Sequence, residues 1–284
     1  MARSVKSFAK INISLDVVSK RNDGYHELDS IMLPIELHDS IIIEQLKKSS
    51  DNFVTVDDFS NGLVHYNLAT SAIEALSKKY GFNTKFRVFI HKNIPMQAGL
   101  GGGSSNAAFT MKAVNEMLKL GASEEELIEL ATPLGADIPF FIHCAPSRCN
   151  GIGEKLHPIE VKNTYYVLLV KPNVGCSTKE VFAIADSLPY KHVDTENVLK
   201  ALREGDDELL ANSIGNSLEE AATKLVPEIA QIKQTLKDRG FKIVLMSGSG
   251  STVFALSTDS SLMKKVAREL EDHYFVCMTK IINK

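Results

Sequence analysis

Asn93-Ile-Pro-Met-Gln-Ala-Gly-Leu-Gly-Gly-Gly-Ser-Ser-Asn-Ala-Ala-Phe-Thr-Met-Lys-Ala-Val114 carries a glycine-rich loop straight into a helix. Gly99, Gly101, Gly102 and Gly103 open backbone angles closed to other residues, and without a Cβ they let peptide N–H groups come up against a ligand. Ser104, Ser105 and Asn106 are residue types that cap helix starts, and Ala107, Met111, Val114 and Leu118 then recur at helical spacing. The spacing predicts a helix whose positive end meets the loop. Unpaired N–H groups and the helix dipole both favour an anion there, and two capping hydroxyls would add donors. The stretch reads as a phosphate cradle.

Three commoner glycine loops do not fit. A Walker A loop needs Gly-Lys-Ser/Thr, whereas Gly103 is followed by Ser104 and no lysine occurs until Lys112. A dinucleotide fingerprint needs a third glycine where Ser104 stands. The nucleophile elbow Gly-x-Ser-x-Gly fails at Ser249, where Ser247 leads, and at Ser104, where Asn106 closes.

Composition bounds the class. A chain of 284 residues with 44% hydrophobic content can build a sizeable core in one large or two intimate domains. It has no run of about 18 apolar residues for a membrane span, and its first residues lack the apolar core of a signal peptide. A cytoplasmic protein without membrane partners is expected. Cys144, Cys149, Cys176 and Cys277 are too scattered for a disulfide framework. His143, Cys144 and Cys149 lack the second ligand pair of a zinc site. A net charge of -3 argues against a nucleic-acid partner, so a polyanionic small molecule must be held by local donors.

Elsewhere the elements alternate. From Lys10 to Val17 the pattern has period two: Ile11, Ile13, Leu15 and Val17 face one way, Lys10, Asn12, Ser14 and Asp16 the other. This predicts a strand with one wet face, on which Lys10 and Asn12 stand about 7 Å apart. Asn22-Asp-Gly24 is turn chemistry, and Tyr25 and His26 follow it as an exposed pair able to stack on a base and hydrogen-bond its edge. Strands are expected over Ile31–Leu37, Ile41–Ile43, Phe86–Ile90, Tyr165–Val170, Phe241–Met246, Val253–Leu256 and Tyr274–Ile281. Helices are expected over Leu68–Tyr80 and Ser261–Glu271, from a Ser123–Glu126 capping box to Leu134, and through much of Glu196–Lys237. Asp137, between a helix end and an apolar run, either caps something or is held partly desolvated for chemistry. The fold class is α+β.

Pro95-x-x-x-Gly-Leu-Gly-Gly-Gly-Ser-Ser-Asn-Ala-Ala resembles the ATP-binding motif of the GHMP kinases. The resemblance spans essentially the whole chain and implies a two-lobed fold: a ribosomal-protein-like N-terminal lobe over 1–160, a ferredoxin-like C-terminal lobe over 161–284, and a cleft between them. It implies that Pro95, Met96, Gln97, Ala98, Gly99, Leu100, Gly101, Gly102, Gly103, Ser104 and Ser105 hold ATP with Mg²⁺, for which no carboxylate ligand can be named. Asn67-Leu-Ala is similar to the adenine-side region. Gly-Ala-Asp137-Ile-Pro resembles the catalytic-aspartate motif, and Ala-Lys10-x-Asn12 the opening motif whose lysine lies at the reaction centre.

Arg-x-Asp-Gly-Tyr25-His26 is similar to the cytidine-side motif of one branch, with Asn12, Thr178 and Phe182 completing the substrate side and Phe182 forming a base sandwich with Tyr25. That branch implies ATP-dependent phosphorylation of the 2-hydroxyl of 4-diphosphocytidyl-2-C-methyl-D-erythritol, on the methylerythritol phosphate route to isoprenoids, by a monomer or homodimer. Ser247-Gly-Ser-Gly-Ser-Thr252 resembles the third family motif, with Ser251 where proline is usual, and Ala145–Asn150 departs from the expected small-residue run. Another GHMP kinase and a non-catalytic nucleotide binder are the alternatives.

Overall fold

The alternation around Lys10 belongs to a 19-residue strand, β1 (Ala2–Lys20), in the computed structural model, which describes residues 2–47, 51–57 and 67–283. The next two expected strands are one, β2 (His26–Leu46), which runs without a break through the polar His38-Asp39-Ser40 stretch between them. Then follow β3 (Phe53–Asp57), α1 (Leu68–Tyr80), β4 (Lys85–His91), α2 (Gly102–Leu118), α3 (Glu124–Ala131), a 3₁₀ turn (Thr132–Leu134) and α4 (Ile138–His143). The remainder is β5 (Ser147–Gly151), β6 (Lys155–Pro158), β7 (Tyr166–Lys171), α5 (Thr178–Ala185), α6 (Thr195–Glu204), α7 (Asp207–Ser213), β8 (Gly215–Asn216), α8 (Glu219–Leu225), α9 (Glu228–Asp238), β9 (Ile243–Met246), β10 (Val253–Ser257), α10 (Ser260–Leu270) and β11 (Phe275–Lys280). The fold is α+β, and among the described residues no helix is long and apolar enough to cross a membrane.

The chain forms two units. The first comprises Met1–Ala9, Leu37–Pro95 and Gly101–Cys144. In it β4 pairs antiparallel with β2, setting Ile41 opposite Ile90 and Ile43 opposite Val88, and parallel with β3. The side chains of Phe86, Val88 and Ile90 are fully buried, as period two requires. Helix α1 starts on Asn67, whose side chain accepts from the Ala69 N–H, and stops at Gly81 in the left-handed region; it packs on α2. Ser123 and Glu126 form the expected capping box at α3.

The second unit comprises Lys10–Glu36, Met96–Leu100 and Ala145–Lys284. Its antiparallel sheet runs β11-β7-β10-β9, with α9 and α10 packed on it around Leu168, Val170, Ile229, Ile232, Val253 and Met263. β5 pairs with β2 and β6, and β8 pairs parallel with Ser14 and Leu15 of β1. The helical pattern through Glu196–Lys237 is divided among four helices, α6 to α9. Gly205 stops α6 at a φ of 72°, Asp206 restarts the chain as a cap, and Gly215–Asn216 leaves the helical path for β1 before α8 and α9.

The expected wet face of β1 is dry. Lys10, Asn12, Ser14 and Asp16 are all buried, so the strand is covered on both faces. Burial of polar groups requires partners, and they are present: the Asn12 amide donates to Ser30 Oγ at 2.8 Å, the Ser30 hydroxyl to the Ser14 carbonyl at 2.6 Å, and the Ser217 hydroxyl to Asp16 at 3.1 Å.

The Ala145–Asn150 departure also has a structural reason. On β5, Arg148 donates from Nε and Nη2 to the two oxygens of Asp29, each at 2.8 Å, and Asn150 donates to Asp29 at 3.1 Å. Arg148 also reaches Glu196 at 2.8 Å, but that carboxylate is largely exposed and adds little. Arg148→Ala is expected to lower stability by about 1–3 kcal/mol, less than loss of a fully buried partner because the pair is partly wet. Arg148→Lys should recover only part of this, lacking the fork. Urea unfolding midpoints of the three proteins measure both effects.

Candidate active site

In the second unit, the lysine read from the opening motif lies at the meeting of two glycine loops. Lys10 Nζ donates to Asn12 Oδ1 at 2.5 Å, and it stands 3.2 Å from where a Cβ on Gly248 would be. With 3% exposure Lys10 is nearly out of water, an expensive place for an ammonium unless it is surrounded by oxygen acceptors. The Asn12 N–H in turn donates to Ser247 Oγ at 3.3 Å.

The glycine loop is tied down through its carbonyls. Those of Gln97, Ala98, Gly99 and Leu100 accept from Cys176 N–H, Thr252 N–H, the Ser247 hydroxyl and Lys10 N–H, at 3.2, 3.3, 2.9 and 3.1 Å. In a trans peptide the next N–H points opposite to the C=O. The N–H groups of Ala98, Gly99, Leu100 and Gly101 are therefore turned away from these partners, the arrangement an anion cradle requires. Gly99 adopts a φ of 71°, and a Cβ on it would lie 2.0 Å from the Ser247 carbonyl oxygen. Gln97 also has a positive φ, 49°, and Met96 projects into solvent.

The second loop, Ser247–Thr252, is braced in the same unit. Asn216, which the helical reading of its segment concealed, donates to the carbonyls of Met246 at 2.9 Å and Gly248 at 2.8 Å. Ser251 is buried and its hydroxyl donates to the Val174 carbonyl at 2.6 Å, so the residue standing in place of proline fixes the loop by a hydrogen bond. The hydroxyls of Thr178 and Ser249 are 2.8 Å apart. Burial pushes the Cys176 thiol up to about 11, which leaves it a packing group beneath Gly250.

In the first unit, the N-cap of α2 lies three residues before Ser104, the first of the expected capping types. Gly101 occupies the N-cap position at a φ of 71° with no side-chain cap, and Ser104 lies inside the first turn. This corrects the role expected of Ser105. Its N–H donates to the Gly101 carbonyl at 2.9 Å and its hydroxyl to the Phe8 carbonyl at 2.5 Å, so both donors are spent inside the protein. Asn106 is likewise buried, accepting from the Ser7 hydroxyl. The donors left by helix geometry are the N–H groups of Gly101 to Ser104.

Lys92, not picked out from sequence, puts its ammonium 3.0 Å from where a Gly102 Cβ would be, and is paired with the fully buried Asp39. Asp39 also accepts from the N–H groups of Asn93 and Ile94, both at 2.8 Å, fixing the chain just before Pro95. Asp137 stands at the N-cap position of α4 but makes no capping hydrogen bond, which removes the plain capping role. The Gly135 that opens its motif comes within 3.9 Å of the Ser104 hydroxyl, measured from a built Cβ, so the aspartate motif and the start of α2 are brought together.

The residues read as a base site lie in the second unit. Tyr25 is exposed, but His26 is buried, against the expectation that both would be open. Phe182 stacks on His26 with ring centroids 4.5 Å apart and planes 25° apart. His26 Nε2 is 2.7 Å from Asp186 Oδ1, which also accepts from the Tyr190 hydroxyl at 2.6 Å, while Asp186 Oδ2 accepts from Lys20 at 2.5 Å. Burial alone would raise the Asp186 carboxyl, but the hydrogen bonds from Lys20, Tyr190 and His26 outweigh it and hold the group well below the usual carboxylate range.

A glycine loop with its carbonyls tied down and a nearly buried lysine beside it suit a phosphate-bearing ligand. The family descriptions "GHMP kinases N terminal domain" and "GHMP kinases C terminal" match residues 67–145 and 198–276. A Bacillus cytotoxicus protein named 4-diphosphocytidyl-2-C-methyl-D-erythritol kinase is 38% identical over 272 residues, 94% of this chain and 92% of that one. A Geobacillus protein of the same name is 39% identical over 267 residues, 92% of this chain and 90% of that one. The crystal structure of a 4-(cytidine 5'-diphospho)-2C-methyl-D-erythritol kinase superposes with a TM-score of 0.82 at 28% identity, covering 99% of this chain and 100% of that one. The chain belongs to the GHMP kinases, in the 4-diphosphocytidyl-2-C-methyl-D-erythritol kinase family.

Gly99 and Gly81 separate two reasons for glycine, since both have a φ of 71° but nothing lies within 4 Å of a Cβ on Gly81. Gly81→Ala should lose about 1 kcal/mol from backbone strain alone. Gly99→Ala should lose about 2–5 kcal/mol, because the methyl also displaces the Ser247 carbonyl. Thermal unfolding of both variants, with and without ATP, is the measurement; only Gly99→Ala should also lose the shift that ATP produces.

Proposed function

We propose that this chain is an ATP-dependent kinase that phosphorylates the 2-hydroxyl of 4-diphosphocytidyl-2-C-methyl-D-erythritol, giving the 2-phosphate and ADP, in the methylerythritol phosphate route to isoprenoids. The observation that carries the reading is the buried Lys10 ammonium beside Gly99 and Gly248, a cation held where two glycine loops meet.

Phosphoryl transfer asks chiefly for positioning and charge stabilisation. The amides of Gly99 to Ser104 bind the ATP phosphates; Pro95, Met96, Gln97 and Ala98 shape the approach. Lys10 offsets charge growing on the transferred group. Asp137 orients the acceptor hydroxyl and takes its proton. Mg²⁺ would be held by phosphate oxygens and water and would screen their charge; among the described residues no group of three or more His, Cys, Asp or Glu is placed to cage it. Tyr25, His26, Thr178 and Phe182 hold the cytidine side, and Asn12 keeps Lys10 in place.

Asp137→Asn should lower turnover by about 10²–10⁴-fold with ATP affinity nearly unchanged, as loss of a general base does. Unaltered turnover would take Asp137 out of the chemistry. The assignment as a whole is checked by ADP release over a panel of diphosphocytidyl-methylerythritol, mevalonate, homoserine and galactose, where the first alone should be consumed. Tyr25→Ala should raise KM for that substrate and leave ATP affinity intact; an unchanged KM would point to a kinase that does not grip a base.

A further inference from the structure

His26 is held by one helix in two ways. Phe182 and Asp186 are four residues apart at the end of α5, so they lie on one face. Phe182 covers the plane of the imidazole and Asp186 takes a hydrogen bond at its edge. The ring is thereby fixed in orientation and in the placement of its hydrogen.

An ionised carboxylate only accepts hydrogen bonds. With Lys20 and Tyr190 also donating to it, Asp186 stays ionised, so the hydrogen in the contact with His26 belongs to Nε2. In a neutral imidazole, Nδ1 then carries the lone pair. Cytosine and uracil differ at C4, where cytosine has an amino donor and uracil a carbonyl acceptor. We infer that Asp186 is a positioning residue that makes the site prefer cytosine over uracil, by holding His26 with its hydrogen on Nε2 and its acceptor at Nδ1. This rests on the kinase reading above, in which His26 meets the edge of the base.

The same hydrogen bonds say what Asp186→Asn does. Of the three groups around the carboxylate, the Lys20 ammonium can only donate, whereas His26 and Tyr190 can each turn acceptor. The carboxamide therefore gives its oxygen to Lys20 and its NH₂ to His26. The imidazole hydrogen moves to Nδ1, which then suits uracil and opposes cytosine.

The test compares kcat/KM for diphosphocytidyl-methylerythritol and its uridine counterpart in the wild type, Asp186→Asn and His26→Gln. In Asp186→Asn the preference for the cytidine substrate should fall about tenfold or more, mainly through KM, since a matched hydrogen bond becomes a clash of donors. An Asp186→Asn protein with the wild-type ratio, or one that loses both substrates in equal proportion, overturns the role. Ring ¹⁵N NMR of the ligand-free protein, with His26→Gln assigning the signal, gives a readout that does not need activity. The wild type should show the Nε2–H form and Asp186→Asn the Nδ1–H form; an Nδ1–H form in the wild type overturns the inference. A wild type inert toward both substrates but showing the Nε2–H form would instead sink the kinase reading, and the selectivity role with it.

Discussion

Five consecutive backbone carbonyls, from Gln97 to Gly101, are each engaged by a donor elsewhere in the chain or in the first turn of α2. This is the constraint on which the site depends. Peptide planes have two polar edges, and committing the acceptor edge to these partners turns the donor edge the other way. Glycine is needed less for flexibility than for closeness: at Gly99 the neighbouring Ser247 carbonyl occupies the space a side chain would take.

Apart from the Ser105 N–H, the donors that hold those carbonyls come from distant sequence, and three of them, on Lys10, Ser247 and Thr252, lie on or beside braced elements. Lys10 N–H sits on β1, whose polar face is locked through Asn12, Ser30, Ser14, Asp16 and Ser217. Ser247 and Thr252 flank the turn between β9 and β10, and Asn216 braces that turn from β8. Buried polar networks of this sort are costly when half satisfied and specific when complete. The second unit thus positions Lys10 by the same hydrogen bonds that keep its own polar core dry.

Much of this was legible in the sequence, and the misses share a cause. Period-two alternation correctly put Lys10, Asn12, Ser14 and Asp16 on one face of β1, but periodicity does not say whether water or protein lies against that face. Ser104, Ser105 and Asn106 marked a helix start, yet Gly101 with a φ of 71° turned the chain earlier and made Ser105 an internal brace. The capping box at Ser123 and the stop at Gly81 were readable because both are local. Arg148 and Asp186 were not, because each acts on a partner more than a hundred residues away, nor was Asn216, which sits on a strand only two residues long.

Ser251 and Arg148 show how a departure from a family pattern can preserve what the pattern does. A proline at Ser251 would limit the loop by restricting φ; the serine limits it by donating to Val174 while staying buried. Small residues before Gly151 would let β5 lie close to its neighbours. Here the larger Arg148 is accommodated because β5 pairs with β2 in the register that sets Arg148 opposite Ile31, within reach of Asp29 two residues earlier on the same face. In both places a side-chain hydrogen bond replaces a backbone or steric restriction. That exchange holds the geometry only while the acceptor stays in place, a backbone carbonyl at Val174 and a side-chain carboxylate at Asp29.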